Sequence, residues 1–481
     1  MVKDPQIGTA YSRSVFYLDG LLCATAFFSF VSVEYPLGGI GNMRLPAEFL
    51  LGLSCLLFVF VLWGQRRFKA DLGLRRPDGF WPCELRWWIG AYLLWMWIGA
   101  FFSAYPMVAF KASVTYAASV LTAFYAVFKI ETEMPGGGFG RRAAWAALLG
   151  LTIVSLYGIG RYLFGESIPI NLIFRIPRPF MADHTHWGAM LGLWLFPCLY
   201  FVRYAVRPWQ RMAAVGMSLV FVTALWVSHG RAAAACLLVP VGVAAVLYWL
   251  RWPRRVRVVS ALVVLTLVAA GGLWGVQQGR AQAAGKSENW GRNMLSLVQY
   301  RQDVSSMERV NRWKCAARLT ADYPLLGCGK DVYSFVYGPY QREEDLTELS
   351  TFEGDRGNAH SEYASAFCET GVPGGLLFLC IVVFGFTAGI KAYRAVGRKA
   401  GGLSSAGSSD TTANGADTAC RQRAWILSLL LGLTAYFVQG LFNNFLCLDS
   451  GRFSVFLMLA LLQAAYVRGL SVDNESKTIH R

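Results

Sequence analysis

The chain has 481 residues, of which 55% are hydrophobic, 15% aromatic and only 15% charged, and its mean hydropathy is +0.40. A soluble protein carries about a quarter charged residues, so this composition excludes an ordinary soluble globular protein. The net charge of +16 would suit a nucleic-acid partner. However, the basic residues are concentrated at the termini and in alternate connections between apolar runs, as the positive-inside rule of membrane proteins predicts. The charge therefore reflects membrane topology and does not indicate a nucleic-acid partner.

Apolar runs of about 17 to 22 residues recur along the chain, and each is long enough to cross a bilayer as a helix. We therefore predict an all-α fold, that of a polytopic membrane protein with twelve transmembrane helices. In chain order they cover residues 15–33, 47–63, 87–104, 109–128, 143–164, 187–202, 212–228, 232–250, 258–276, 372–390, 424–443 and 451–468.

The spans divide the chain into four parts. Residues 1–276 hold nine spans, residues 277–371 form a large polar loop, residues 372–468 hold three more spans, and residues 469–481 form a tail. The positive-inside rule places the Lys- and Arg-rich connections on the cytoplasmic side. These connections are residues 64–86, 129–142, 203–211, 251–257 and 391–423. An even number of spans then puts both termini in the cytoplasm and the large loop outside.

Three connections have a distinct composition. Residues 397–420 are rich in Gly, Ser, Thr and Ala, which predicts a disordered cytoplasmic linker. Residues 165–186 form an external loop whose Pro-containing RIPRPF core is expected to be extended.

The large loop is expected to be partly helical. Ser305 and Glu308 have the spacing of a capping box that opens a helix of about four turns. Tyr323-Pro324 is expected to end this helix, and the following LLGCGKD supplies a Gly-rich turn.

A polar cluster closes the large loop, just before the chain becomes apolar again. It contains His360, Glu362 and Glu369. An imidazole with a near-neutral pKa suits proton transfer from a hydroxyl nucleophile, and either carboxylate would orient it. The alternative is a surface histidine before a helix N-terminus, and the spacing alone leaves both open.

Cations accumulate at the same predicted face. Arg231 follows Ser-His-Gly at a membrane boundary and is suited either to bind a phosphate or to snorkel to the interface. Arg175 and Arg178 lie in the Pro-containing loop, where they would either clamp a diphosphate or be ordinary solvated charges. Arg309 and Arg312, on the predicted loop helix, face either substrate or solvent.

Asp183, His184 and His186 form a D-H-x-H pattern in front of a span. Two ligands on one short loop are weak evidence for a metal, so we expect these side chains to form hydrogen bonds in an external vestibule, with no metal and no cofactor. A Cys315–Cys328 disulfide stays open as an alternative in an oxidising compartment. Asp449 and Arg452 are interpreted as a structural ion pair.

Four blocks of sequence resemble the bacterial O-antigen ligase / O-antigen polymerase superfamily, in the order that this superfamily shows. They are RPFMADHTHWGAMLGLWLFP, SHGRAAAACLL, ERVNRWKCAARLTADYPLLGCGKDVYSFVY and NAHSEYASAFCETGVPGG. The twelve-span layout, with one large loop before the last spans, extends the resemblance to nearly the whole chain.

The resemblance implies an integral membrane glycosyltransferase of lipopolysaccharide biosynthesis in the bacterial inner membrane, with its active site facing the periplasm. Its donor would be a glycan on undecaprenyl diphosphate, and its acceptor a sugar hydroxyl of lipid A-core. By similarity His360 and Arg231 would be catalytic, and Arg175 and Arg178 would match the family's upstream arginines. From the chemistry of this reaction we expect Arg231, with Arg175 or Arg178, to bind the diphosphate and Glu369 to support the site or position the acceptor.

Two alternatives remain at this point. A polymerase shares the donor and the motifs, and uses a second lipid-linked repeat unit as acceptor. A membrane transporter is the remote alternative, against which stand the absence of internal repeats and of charges in the middle of the spans.

Overall fold

The computed structural model describes residues 5–36, 42–67, 84–133, 138–164, 175–228, 231–249, 253, 304–351, 357–405 and 410–479. In this part of the chain the fold is almost entirely helical, which confirms the predicted all-α class. Its two strands, β1 (Val33–Pro36) and β2 (Asn42–Leu45), pair antiparallel in one hairpin, with Val33 opposite Leu45.

Fourteen α-helices can be traced through the described residues. They are α1 (Pro5–Val31), α2 (Ala47–Arg67), α3 (Leu85–Phe101), α4 (Pro106–Val120), α5 (Val127–Glu133), α6 (Phe139–Phe164), α7 (His184–Tyr204), α8 (Pro208–Val227), α9 (Arg231–Trp249), α10 (Val304–Asp322), α11 (Tyr333–Val336), α12 (Glu362–Ser405), α13 (Asp410–Gln439) and α14 (Asp449–Ile479). A π-helical turn over Leu121–Ala126 joins α4 to α5 without a break.

Nine helical segments of the described chain are long and apolar enough to cross a bilayer, as a polytopic membrane protein requires. Two further predicted spans are also helical, although their helices are not among these nine. The span 87–104 corresponds to α3, which has 17 residues, and the span 424–443 corresponds to α13. The predicted span 258–276 lies outside the described residues.

The helices differ widely in burial. In the apolar segment of α14, 94% of the residues are buried, against 17% in α9. Helix α14 packs on α12, α5, α1, α4 and α13, so it forms the centre of the bundle. Large apolar side chains such as Leu238 and Val241 of α9 are exposed, as expected of a helix that faces lipid rather than protein.

The described parts of the expected linker 397–420 are helical rather than disordered. Helix α12 continues to Ser405 and α13 begins at Asp410, and residues 406–409 lie outside the described chain. The segment contains no proline, the residue that most strongly interrupts a helix, so both flanking helices can extend into it despite its glycines. The composition was therefore a poor guide to this connection.

Helix α12 is broken at Gly371, whose backbone has φ 71° and ψ 179°. The break separates a short helix, residues 362–370, from the membrane span that follows. We call the short helix the half-helix. The span was predicted to begin at residue 372, directly after the break.

We call residues 304–351 and 357–370 the loop layer. Its longest element, α10, ends at Asp322, just before Tyr323-Pro324, as predicted. The predicted capping box is wrong, because α10 already includes Val304 and therefore holds Ser305 inside the helix. Glu308 instead pairs with Arg312 one turn later and accepts hydrogen bonds from Thr347 and Ser350.

Candidate active site

His360 lies directly before the half-helix, at the surface where the loop layer covers the bundle. Its backbone adopts a left-handed conformation, φ 49°, which is uncommon for a residue other than glycine. Two contacts hold it: its N–H donates to Asn358 Oδ1 at 2.9 Å, and its carbonyl accepts from Trp313 Nε1 at 3.1 Å. The backbone at His360 is thus fixed by α10 and by its own loop.

The surroundings of His360 are cationic. Burial lowers the pKa of its imidazole, the charges of Arg309 and Arg312 lower it further, and Asp183 and Glu308 act in the opposite direction, so that the pKa is about 4. The imidazole is therefore neutral at neutral pH, with a ring nitrogen able to accept a proton. The same groups show that the structure brings His360, Arg309, Arg312 and Asp183 into one electrostatic environment.

Arg312 is buried and held on several sides. Its Nε donates to Glu308 Oε1 at 2.6 Å, its guanidinium carbon lies 4.1 Å from the centre of the Tyr337 ring, and one terminal nitrogen donates to Thr351 at 3.1 Å. Gly357 lies so close that a Cβ there would collide with the guanidinium. Arg312 is thus a positioned cation rather than a solvated one.

Glu308, the partner of Arg312, stays a carboxylate. Burial acts to raise its pKa, but the hydrogen bonds from Ser350, Arg312 and Thr347 outweigh it, so that the pKa lies below its usual value. The pair is nearly inaccessible, with 5% and 6% of the two side chains exposed.

Glu362 begins the half-helix and ties it to the turn between α13 and α14. Its Oε1 accepts from the hydroxyl of Tyr436 at 2.6 Å and from the N–H groups of Phe445 and Leu446 at 2.6 and 2.9 Å. Its own N–H donates to the carbonyl of Gly440 at 2.8 Å. These contacts give Glu362 a structural role at the edge of the site.

Glu369, near the end of the half-helix, pairs with a residue that the sequence analysis did not single out. Lys330 Nζ lies 2.6 Å from Glu369 Oε2, and both side chains are buried. Asp331 lies 3.3 Å from the same ammonium. Burial acts to lower the pKa of Lys330, but the charges of Glu369 and Asp331 raise it well above its usual value. Lys330 escaped notice because its segment was interpreted only as a turn.

The D-H-x-H pattern is divided among separate structural roles. Asp183 caps α7 and accepts from the N–H groups of Thr185 and His186 at 2.7 and 2.8 Å. His186 is fully buried, with Nε2 2.9 Å from Ser450 Oγ and its ring stacked on Phe445. His184 is partly buried at the first position of α7. Among the described residues no three His, Cys, Asp or Glu side chains are grouped to hold a metal.

Arg175 and Arg178 are exposed on the segment that leads to α7. Arg161 holds this segment by donating to the carbonyls of Arg175, Ile176 and Arg178, and Arg178 Nε itself donates to Ala182. The β1–β2 hairpin supplies a second residue that holds this segment.

Arg44, on β2, also holds the segment that leads to α7, because it donates to the carbonyls of Ser32 and Phe180. The role of Arg44 is not evident from the sequence, since a lone arginine between two spans carries no motif.

Arg231 is the first residue of α9, and its side chain lies outside the described part of the chain. The preceding residues 229–230 are not described either. Gly188, near the start of α7, lies close to Ser228 after α8 and to Ala233 near the start of α9, so the backbone of Arg231 lies at the end of the bundle where α7 begins. Its role stays a prediction.

Two further expectations have a clear outcome. Asp449 and Arg452 form a buried ion pair at 2.6 Å, which confirms the structural interpretation. Cys315 and Cys328 are both free buried thiols, so the disulfide left open above is not formed.

The fold and this site define a multi-pass α-helical membrane protein with a histidine and arginine cluster within its polar loop layer. Residues 216–379, about one third of the chain, match the family model described as O-antigen ligase. This match supports the resemblance to the O-antigen ligase / O-antigen polymerase superfamily that the motifs predict. The matched segment contains Arg231, Arg309, Arg312, His360 and Glu369. No curated protein matches the chain.

Proposed function

We propose that this protein transfers a glycan from undecaprenyl diphosphate to a sugar hydroxyl of lipid A-core, as an O-antigen ligase of the bacterial inner membrane. The active site would face the periplasm and both termini the cytoplasm. The observation that carries the proposal is a neutral, backbone-fixed His360 placed among Arg309 and Arg312. A base beside fixed cations is the arrangement that transfer from a lipid diphosphate requires.

In this reaction the acceptor oxygen attacks the anomeric carbon of the donor sugar while the bond from that carbon to the diphosphate oxygen breaks. The proton of the acceptor hydroxyl passes to the imidazole of His360, and undecaprenyl diphosphate leaves. A diphosphate is a good leaving group, so no acid has to protonate it. Direct attack inverts the configuration at the anomeric carbon.

The arginines have two effects in this proposal. They stabilise the negative charge that develops on the leaving diphosphate. They also depress the basicity of His360 while the site is empty. A bound diphosphate would cancel much of their charge and thereby raise the pKa of His360, so donor binding would prepare the base for the acceptor.

Arg175, Arg178 and Arg231 complete the proposed donor site. Arg175 and Arg178 are exposed on a segment held by Arg161 and Arg44, so their positions are fixed while their side chains can meet a ligand. Arg231 begins α9 on the same side of the bundle. Glu369 lies at the end of the half-helix that is farther from His360, and it acts by fixing the position of this helix.

The test is complementation of a strain that lacks the gene, with lipopolysaccharide separated on a gel. Wild-type protein should restore long chains on the core, whereas His360→Ala and Arg231→Ala should leave a bare core at normal protein levels. Arg342→Ala is the matched control, because Arg342 is an exposed arginine of the same loop layer, with 64% of its side chain accessible.

The same gel separates the alternatives. A deletion strain whose core carries single repeat units would identify a polymerase that joins two lipid-linked repeats. A transporter, by contrast, would move lipid-linked glycan across the membrane without consuming it covalently. A fully active His360→Ala variant would refute the assignment of the base.

A further inference from the structure

The break in α12 leaves backbone groups of the half-helix without their helical partners, and another segment supplies them. Pro373 has no N–H to give to Glu369, and the N–H of Val372 turns away to the carbonyl of Pro324 at 2.7 Å. In their place the N–H of Cys328 donates to the carbonyl of Cys368 at 2.9 Å, and that of Gly329 to the carbonyl of Glu369 at 3.0 Å. We call residues 324–331 the clasp.

The clasp and the break fit together because two glycines meet there. Gly327 has φ 69° and Gly371 has φ 71°, a region that L-residues with side chains rarely adopt. A Cβ on Gly327 would lie 2.5 Å from the backbone nitrogens of Thr370 and Gly371. The segment interpreted in the sequence as a Gly-rich turn is therefore a backbone partner for the broken helix.

One side-chain contact fastens the clasp to the half-helix. Lys330 Nζ lies 2.6 Å from Glu369 Oε2, with only 5% and 4% of the two residues exposed, and 5.7 Å from the centre of the Tyr116 ring. Charged hydrogen bonds of this length are strong and directional. The pair thus fixes where the end of the half-helix lies relative to the clasp.

The other end of the half-helix is fastened independently. Glu362 accepts from Tyr436, Phe445 and Leu446, and His360 precedes it by two residues. The half-helix is therefore held at both ends by different elements, and Gly371 separates it from the span. The half-helix therefore positions His360 independently of the membrane span that follows.

We propose that Lys330 is a positioning residue for His360: through Glu369 it fixes the half-helix on which the imidazole depends. This inference rests on the proposed function, because it assigns Lys330 to the same reaction. A purely stabilising role would not require charges, since apolar groups of similar volume often replace a buried ion pair without loss of stability. A geometric role requires the directed contact between the two side chains.

The test compares purified wild-type protein with Lys330→Met, using lipid-linked O-antigen repeat units as donor and extracted lipid A-core as acceptor. Because displacement of a catalytic group by about 1 Å can cost about 100-fold in rate, we expect kcat to fall about 10- to 100-fold while the donor KM changes by less than about twofold. Lys330→Arg, which keeps the charge and the hydrogen bond, should restore most of the rate.

A second readout does not depend on catalysis. Diethyl pyrocarbonate acylates neutral imidazoles, and mass spectrometry of the peptide that contains His360 gives the rate at this residue. We expect faster modification in Lys330→Met than in wild type, because a loosened half-helix exposes the ring. If wild-type protein transfers no glycan, the proposed function fails, and this rate still decides whether Lys330 positions His360.

The matched control is Glu84→Gln, which breaks the buried pair of Glu84 with Arg86, 2.7 Å apart and with 7% and 8% of the side chains exposed. This pair lies at the start of α3, whereas Ala100 at the other end of α3 packs on Cys328 of the clasp. The control should change neither kcat nor the modification of His360.

Three results would overturn the inference. They are a folded Lys330→Met variant with wild-type turnover and wild-type modification of His360, an equal loss of turnover in Glu84→Gln, and a failure of Lys330→Arg to restore the rate. If Lys330→Met does not accumulate, Lys330→Met combined with Glu369→Met removes both charges at similar volume. Reduced turnover in that double variant supports the inference, and wild-type turnover overturns it.

Discussion

The segment before α7 and the loop layer around His360 contain the same residue types but use them differently. In the first, Asp183 caps its own helix, His186 is buried against Ser450, and Arg178 bonds Ala182 four residues away. In the second, the hydrogen bonds that hold His360 to other described residues run through its backbone, to Asn358 and from Trp313. A histidine is a better candidate for chemistry when neighbouring residues fix its backbone and leave its imidazole ring to contact a substrate. His360 meets this condition, whereas the ring of His186 is already bonded to Ser450.

The largest expected effect separates the two histidines. Since a positioned base contributes about 10²- to 10⁴-fold to a rate, His360→Ala should lower glycan transfer by that factor with little change in thermal stability. His186→Ala should instead lower the melting temperature, because it leaves the buried Ser450 hydroxyl without its partner, and the remaining folded protein should transfer glycan. Equal loss of turnover in both variants at equal protein levels would remove the distinction.

The next effect separates two arginines within the loop layer. Arg312→Ala leaves Glu308 as a buried carboxylate without its ion pair and removes the contact with Tyr337. Breaking a buried pair by removing one partner costs about 3–5 kcal/mol, so we expect a clear drop in the melting temperature. Arg342→Ala, on the exposed side of the same layer, should cost about 0–1 kcal/mol. A loss below about 1 kcal/mol in Arg312→Ala would contradict the assignment.

The pH dependence of transfer sharpens the electrostatic side of the comparison. With the pKa of His360 near 4, against an ordinary value of 6.5, the acidic limb of kcat/KM for the free enzyme should lie near pH 4. Arg309→Gln removes the largest single charge acting on the imidazole, so the limb should move upward, toward 6.5. A limb at 6.5 in wild type, unmoved by Arg309→Gln, would show that the arginines do not control this group.

The same shift has a consequence for stability, and its sign follows from proton binding. The folded-state pKa of His360 lies below that of the unfolded chain, so between about pH 6.5 and pH 4 the unfolded chain binds more protons. The contribution of His360 to folding stability is therefore present above pH 6.5 and decreases as the pH falls through this window. In His360→Ala, the acid-induced loss of stability over this window should be smaller.

The smallest effect concerns Asp183. Because its carboxylate caps α7 through the N–H groups of Thr185 and His186, Asp183→Ala should cost about 1 kcal/mol. Asp183→Asn retains an acceptor oxygen and should recover most of this loss. A melting temperature that is unchanged in Asp183→Ala would contradict the capping role, and a recovery of stability without activity would point to a further role beside His360.

Much of the architecture follows from the sequence alone. Long apolar runs predict helical spans because the bilayer core allows few other structures, and Tyr323-Pro324 ends α10 because proline cannot continue the hydrogen-bond ladder. Asp449 and Arg452, spaced one turn apart at the start of α14, pair as expected. The motif that contains His360 carried the candidate base, and the match to residues 216–379 supports the same superfamily.

Only the tertiary structure decided what the acidic residues do. Glu362 is held by Tyr436, 74 residues away, and Glu369 by Lys330, 39 residues away. The predicted capping box is wrong because α10 already includes Ser305, and Glu308 instead accepts hydrogen bonds from Thr347 and Ser350 across the layer. The length, the apolarity and the local breakers of a segment are properties of the chain itself, so the sequence determines them. The partner of a buried charge is set by which distant segments fold together, and no local pattern encodes that choice.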